Sequence, residues 1–368
     1  MNKHLHIVAF DNPYPPNYGG AIDVFYKIKG LYESGIHIHL HIFIKERRDL
    51  LPLEDYCKNV YSYPQKSAFS AVFSRLPIRL MVRENKTLFQ RLKKTNDPIL
   101  FEGLHTTHSL NVQDLKSKIL VRTHNIEHDY MQGLAESSSS FIRKFIYKFE
   151  ARKLKAYEPI LNKTDHILAL SHNDSDYFES QYDAKVSLLP VCHGFEKVTS
   201  NEGFGKYAIF HGDLTTADNI KAVEFLIEVF AGLDFPLKIA GSDLPKALEY
   251  KIERQSNVSL ERIANRDQLT SLISEAHINV LYSFQESGTK LKVFYALYQG
   301  RHCIVNSNII DDKQILGLCE IAENVTDYRA KVQSLMGKEF ILTSERKEVL
   351  ERYKTSVIIE DLVEILNE

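Results

Sequence analysis

The chain has 368 residues, with 46 Lys+Arg against 48 Asp+Glu, and that length predicts two domains rather than one core. Apolar residues make up 44% and charged residues 26%, ordinary globular usage that excludes disorder, collagen and coiled-coil arrays. Residues 1–200 carry 27 basic and 22 acidic residues (+5) and residues 201–368 carry 19 and 26 (−7), which suggests domains with different partners but is too small an imbalance to argue for nucleic acid.

The N-terminal run MNKHLHIVAFDNP is cut short by Asp11 and Pro13, so it reads as a first strand and not a secretion signal. Strand candidates then follow at residues 4–10, 36–44, 98–103, 118–125, 166–171 and 187–191, with helical spacing at Ala21–Tyr32 and Phe141–Tyr157. The pattern restarts with strand candidates at 207–214, 236–242, 278–284 and 302–307, and helices at Lys221–Phe230, Asp267–Glu275 and Lys290–Tyr298. The stretch Cys192–Gly205, with Gly194, Gly203 and Gly205, has a linker-like composition. Residues from about Ser344 to Glu368 read as one or two amphipathic helices. Strand–helix alternation predicts an α/β chain of two doubly wound parallel sheets: domains at 1–195 and 206–345, and a helical tail at 346–368. The cysteines Cys57, Cys192, Cys303 and Cys319 form no CxxC pair, which argues against a disulfide scaffold or a cysteine zinc site and fits a reducing cytosol. No apolar stretch approaches a membrane span.

Ligands of open α/β sheets sit at the carboxyl ends of the strands, so the loops there carry the chemistry. The first, from Asp11 to Gly20, ends in Gly19-Gly20 directly before a helix. Glycine lets a backbone approach a ligand closely, and a helix N-terminus attracts an anion; a plain strand–helix turn is the alternative. The second is Arg122-Thr-His-Asn-Ile-Glu-His128, where packing gives little reason for so many polar side chains at a strand end. Imidazole and amide groups bond sugar hydroxyls, and His124 can donate to an oxygen that gains charge. His124 and His128 also have the i, i+4 spacing of a zinc helix, although this segment opens a helix rather than sitting inside one. His37, His39 and His41 alternate on one strand face and read as a half-buried surface. Asn17, Tyr18, Asn125 and Glu127 are further polar candidates for ligand contact in these two loops.

The most specific loop runs from Phe284 to Gly300 and contains Glu286-Ser287-Gly288-Thr289-Lys290-Leu-Lys292 at a helix mouth. Gly288 and Thr289 can offer backbone N–H groups to phosphate oxygens, and Lys290 and Lys292 can neutralise a diphosphate. Two lysines at a helix start oppose the macrodipole unless an anion is present. A fourth loop, His211-Gly212 to Asn219, is either a ligand contact or a helix cap at Asp218 or Asn219. Ser67–Thr95 carries seven basic residues against Glu84 alone, interleaved with Phe69, Phe73, Leu80, Met81 and Phe89, and Arg143–Lys155 is similar. Such stretches lie on an anionic membrane surface or form a solvated face.

Together these loops resemble the retaining GT-B glycosyltransferases, most closely glycosyltransferase family 4, over about Lys3 to Asn324. The Gly-Gly loop is matched by Gly19 and Gly20, the "THN-E-H" segment by His124, and the "hG-L…N" opening of the second domain by Gly212, Leu214 and Asn219. The "P-N-G"-like end of the first domain is echoed by Pro190–Gly194. The donor signature is matched by Glu286, Gly288, Lys290, Lys292, Ala296 and Gly300, with Tyr295 standing where the family has a second glutamate. The usual basic pair after the second domain's first strand is reduced to Lys221.

The resemblance implies two Rossmann-like domains facing across a cleft, an acceptor site in the first and a nucleoside-diphosphate sugar in the second. It implies hexosyl transfer with retention to a glycan or lipid-linked acceptor, with neither metal nor cofactor. His124 and Glu286 are the expected catalytic residues, and Asn17, Tyr18, Asn125 and Glu127 the expected acceptor contacts. Gly19, Gly20, Gly212, Asn219, Ser287, Gly288, Thr289, Lys290, Lys292 and Tyr295 are the expected donor contacts. The expected location is cytoplasmic, on the inner face of the plasma membrane, with no nucleic-acid partner. A nucleotide-sugar epimerase of the same fold and a catalytically weakened nucleotide-binding protein are the alternatives.

Overall fold

The computed structural model describes residues 3–47, 49–71, 73–112, 114–138, 140–241, 243–285 and 290–368. The chain divides into two units, Met1–Gly194 with Thr355–Glu368, and Phe195–Lys354.

The first unit holds β1 (His4–Ala9), β2 (His37–Ile44), β3 (Asn59–Pro64), β4 (Ile99–Glu102), β5 (Ile119–Thr123), β6 (His166–Ala169) and β7 (Lys185–Leu188). They form one parallel sheet in the order β3-β2-β1-β4-β5-β6-β7. Its central strands are buried on both faces, which is why they read as mainly apolar runs without strict alternation. On one face Leu5, Ile7 and Leu40 pack with Val24, Ile28 and Leu31 of the helix Gly19–Glu33, whose apolar positions recur every three or four residues. On the other face Val8, Phe101 and Val121 pack with Leu154 of the helix Phe141–Tyr157.

Two helices cover the expected tail, Ser344–Glu351 and Thr355–Asn367. The second belongs to the first unit, where Ile358, Ile359 and Leu362 join the core around the helix Gly19–Glu33. Gly30 makes that approach possible, since a Cβ there would lie 2.6 Å from Ile359 Cγ1. The glycines near the unit boundary likewise serve contact rather than looseness. Gly194 has φ +82 with the Tyr26 ring against it, and a Cβ on Gly205 would lie 2.4 Å from the Ala276 backbone.

The second unit holds β8 (Ala208–His211), β9 (Leu237–Gly241), β10 (Val258–Arg262), β11 (Ile278–Leu281), β12 (His302–Val305) and β13 (Glu320–Ile321). This sheet is also parallel, in the order β10-β9-β8-β11-β12-β13. The strand order reverses between β1 and β4 in one sheet and between β8 and β11 in the other, which fixes where a ligand crevice opens in each.

The histidines of β1 and β2 form a bonded row that sinks from surface to core. His4 Nδ1 lies 3.0 Å from His39 Nε2, and His6 Nδ1 lies 2.9 Å from His41 Nε2. His41 Nδ1 then meets Tyr63 Oη at 2.9 Å, with Arg91 on the same hydroxyl at 3.1 Å. His37 is exposed and His41 fully buried, so the row is a half-buried surface at its outer end and core at its inner end. Each ring-to-ring bond needs one nitrogen without a proton. Burial, then neighbouring rings, pushes His6 down to about 4 and His41 well below the usual range. The folded-state values lie below the unfolded value near 6.5, so this stabilisation is fully present above pH ~6.5 and drains away as pH falls towards 4. Urea unfolding free energy is expected to drop by at least about 2 kcal/mol between pH 7 and pH 4.5, with a shallower slope in His6→Asn. Identical slopes in the two proteins would remove the row from this account.

Candidate active site

In the first unit the carboxyl ends of β1, β4 and β5 bring Phe10, Glu102 and His124 together. His124 follows β5 directly, its Nε2 lies 3.0 Å from Glu102 Oε2, and its ring stands edge-on to Phe10 with centroids 5.5 Å apart. Nε2 is thereby engaged, which leaves Nδ1 for a ligand. Glu102 is fully buried and also accepts from Lys27 Nζ at 2.7 Å. Lys27 donates to Asp23 Oδ2 at 3.1 Å, one helical turn away. Asp23 in turn accepts from Cys192 N at 2.7 Å, with Arg122 Nε 3.4 Å from its other oxygen. Arg122 reaches the carbonyls of Leu189 and Pro190, so the "P-N-G"-like segment is clamped to the same network.

Burial, the largest single effect, raises both carboxyls. Lys27 together with Arg122, His124 and the Cys192 N–H at Asp23, and together with His124 at Glu102, outweighs it and holds both below the usual carboxylate range. Among the described residues Asp23, Glu102 and His124 are the one trio of potential metal ligands within 4.8 Å of one another. The Lys27 ammonium already bonds two of them, so this chain supplies its own cation there.

The other residues expected here have distinct surroundings. A Cβ on Gly20 would lie 2.8 Å from the Phe10 ring, whereas Gly19 faces open space. Tyr18 donates to Asp11 at 3.3 Å under the Arg47 guanidinium, and Asn17 is exposed beside it. Asn125 is half-buried. Glu127 is buried at the start of the helix Glu127–Ser137, bonded to Arg79 at 2.8 Å and 3.4 Å from His105 Nδ1, so its carboxylate is committed to those partners. His128 bonds Glu158 at 3.0 Å, while His124 lies before the helix and bonds Glu102. The i, i+4 pair therefore points to two different carboxylates, not to one zinc.

In the second unit the loops after β8 and β11 meet. Asp218 reaches across instead of capping its helix, accepting from Ser283 Oγ at 3.0 Å and from Phe284 N at 2.8 Å. Asn219 donates to Asp213 O at 2.9 Å and accepts from Lys292 Nζ at 2.9 Å. A Cβ on Gly212 would lie 2.9 Å from the Asn219 amide, so Gly212 is what lets Asn219 fold back. Lys292 opens the helix Lys292–Gln299, its ammonium 4.5 Å from the centre of the Phe210 ring. Burial above all, with Lys290 adding and Asp218 opposing, pushes Lys292 down to about 8. Lys290 is half-buried with its backbone N–H on Ile309 O at 3.1 Å, and Lys221 lies over the Phe284 ring. Glu286, Ser287, Gly288 and Thr289 lie outside the described residues.

Tyr295 is buried against Phe195 and His211 beneath the Arg266 guanidinium, so it forms the floor of this region. His211 is buried as well, and burial followed by Lys292 pushes it down to about 3. Among the described residues its Nε2 has no hydrogen-bond partner.

Sequence reasoning missed Asp23, Lys27, Glu102 and His105. A signal existed: Asp23 and Lys27 fall within the apolar stripe of their helix, between Ala21, Val24 and Ile28, where a charge needs a buried partner.

No protein-family model matches the chain. An uncharacterised 44.6 kDa protein in the cps region of Klebsiella pneumoniae is 29% identical over 253 residues, which is 64% of this chain. The match likewise spans 64% of that relative's length. Among solved structures, sucrose-phosphate synthase from Thermosynechococcus elongatus aligns with a TM-score of 0.70 and 14% identity, covering 99% of this chain and 98% of its own. A glycosyltransferase from Rickettsia africae aligns at 0.67 and 14% identity, covering 100% of this chain and 98% of its own. A trehalose-6-phosphate protein from E. coli bound with UDP-2-fluoro glucose aligns at 0.64 and 10% identity, covering 99% of both chains. With its two parallel-sheet units, the chain has the GT-B fold of these glycosyltransferases along its whole length.

Proposed function

We propose that this chain transfers a hexosyl unit from a nucleoside-diphosphate sugar to an acceptor hydroxyl with retention. The observation that carries the reading is Lys292, a half-buried ammonium at the first residue of a helix, where the macrodipole disfavours a cation. An anionic ligand resolves that conflict, and Lys290 adds a second charge. The similarity to a structure bound with UDP-2-fluoro glucose supports a sugar nucleotide as that anion. The relative in the cps region supports a glycan acceptor.

In this reading the bond from the anomeric carbon to the diphosphate breaks while the acceptor oxygen bonds the same face. The acceptor's proton passes to the departing phosphate oxygen. Lys292, Lys290 and the helix N-terminus stabilise the charge that develops on the leaving group, so no step calls for a divalent cation. His124, whose Nε2–H donates to Glu102 and is held in place by it, accepts from a sugar hydroxyl at Nδ1. Asn17, Tyr18 and Asn125 contribute acceptor contacts, while Glu127 keeps Arg79 and His105 in position.

A thermal-shift panel of UDP-, GDP-, ADP- and CDP-sugars is expected to show one nucleotide family raising the melting point. With that donor, His124→Ala is expected to lower transfer at least about tenfold while calorimetric affinity for the free nucleoside diphosphate stays within about twofold. A comparable loss of nucleotide affinity would remove His124 from the sugar, and no response across the panel would remove the donor site.

A further inference from the structure

The helix Phe141–Tyr157 has two unlike halves. Its second half is seated in the core through Ala151, Leu154 and Tyr157. Its first half turns large apolar side chains to solvent: Phe141 is 85% exposed, Ile142 73% and Phe145 69%, with Ile146 and Phe149 nearly half exposed. At 100° per residue these five positions span one face of about 140°. Arg143, Lys144, Lys148, Arg152 and Lys155 flank it. The single acid of the helix, Glu150, is buried and accepts from the backbone N–H groups of Ile78 at 3.0 Å and Arg79 at 2.9 Å.

Those bonds, with Lys153 Nζ on Ser74 O at 2.5 Å, fasten a second basic and aromatic segment to the same helix. In that segment Leu80, Leu88 and Leu92 are core residues, Arg79 is paired with Glu127, and Arg83 bonds Phe10 O. Phe69 and Phe73 remain outward, 79% and 88% exposed, next to the exposed Arg75. The structure thus moves the weight of the surface expected at Ser67–Thr95 onto the helix Phe141–Tyr157.

An apolar face this exposed marks an interaction surface. Its charge separates the two classes of partner. Protein interfaces are depleted in lysine at their core, whereas a helix that lies in a bilayer interface pairs aromatic and aliphatic residues with flanking Lys and Arg. Among the described residues no helix is long and apolar enough to cross a membrane. We propose that the face Phe141–Phe149 seats this chain on an anionic phospholipid surface, the phenylalanines entering the acyl boundary and the flanking cations meeting lipid phosphates. This does not depend on the activity proposed above.

The test is co-sedimentation of the full chain with phosphatidylcholine vesicles and with vesicles of equal phosphatidylcholine and phosphatidylglycerol, at low and high salt. Binding is expected to be at least about tenfold stronger to the anionic vesicles and to weaken as salt screens the charge. Phe141→Ser/Phe145→Ser changes two exposed side chains and is expected to cut partitioning at least about tenfold with an unaltered melting point. Lys144→Glu/Lys148→Glu is expected to do the same through charge. Equal binding to neutral vesicles, or unchanged binding by the double Phe variant, would overturn the proposal. So would a lipid-free dimer that the double Phe variant dissociates, since a second copy would then cover this face.

Discussion

Lys27→Met is expected to lower unfolding free energy by about 3–5 kcal/mol, because it removes the ammonium shared by two buried carboxylates and leaves Glu102 with His124 and Asp23 with Arg122 and the Cys192 N–H. Lys27, Asp23 and Glu102 are each no more than 1% exposed, so no water replaces the lost ammonium. At 2–4 °C per kcal/mol for a unit of this size, the melting point should fall by roughly 6–20 °C. The pH dependence separates this from a simple packing defect. In the parent protein Asp23 and Glu102 are held below their ordinary range, so the stabilisation is present above pH ~4.5 and is lost as pH falls. In Lys27→Met burial raises the same carboxyls against fewer partners, so the variant's deficit should be greatest at neutral pH and shrink towards pH 4. Glu102→Gln added to Lys27→Met removes one of the two buried charges and should recover part of the loss. A deficit that stays constant from pH 8 to pH 4 would show that the carboxylates are not its source.

This network explains why part of the site could not be seen in the chain. His124 was legible as one of several polar side chains crowded at a strand end, of which Arg122, Glu127 and His128 are bonded within the fold. The residues that hold His124 in place were not. Glu102 ends a short strand that reads as apolar, and Asp23 and Lys27 sit four apart on a helix, a spacing that also fits a solvated ion pair. Their meaning comes from burial, which pairing across the sheet supplies. Glycine was legible at Gly20 and Gly212 as a need for space, but what fills that space is the protein itself, Phe10 in one case and Asn219 in the other.

The same physics sorts the strands. β1, β4, β5, β6, β8, β11 and β12 are central or nearly so, are rich in apolar residues and stood out. β3 and β10 are edge strands, half-exposed along their length, and NVYSYP and VSLER carry too few apolar residues to announce a strand. β13 is two residues long and exists through its pairing with β12. The basic run at Ser67–Thr95 is divided: Arg75, Lys86, Arg91, Lys93 and Lys94 are exposed, whereas Arg79 and Arg83 are drawn in onto Glu127 and Phe10 O, which their sequence does not announce.

Lys292→Met is expected to lower glycosyl transfer about 10²–10³-fold, the loss usual when one preorganised partner of a developing anion is removed. It should do so without loss of stability. Burial pushes Lys292 down to about 8, so the folded chain holds this proton less readily than an unfolded lysine near 10.5. Charging the group therefore opposes folding below pH 8, and an apolar side chain of similar length should leave the melting point unchanged or slightly raised, as when strain is released at a functional site. A bound diphosphate reverses the sign: it favours the protonated form and raises the lysine back towards its ordinary value. Affinity for the free nucleoside diphosphate should accordingly weaken as pH rises through about 8 in the parent protein and show no such inflection in Lys292→Met. Binding that is flat from pH 7 to pH 9.5 in the parent would place the phosphates away from Lys292. A large drop in melting point would instead make the lysine a structural group, held by Asn219 for the sake of the fold.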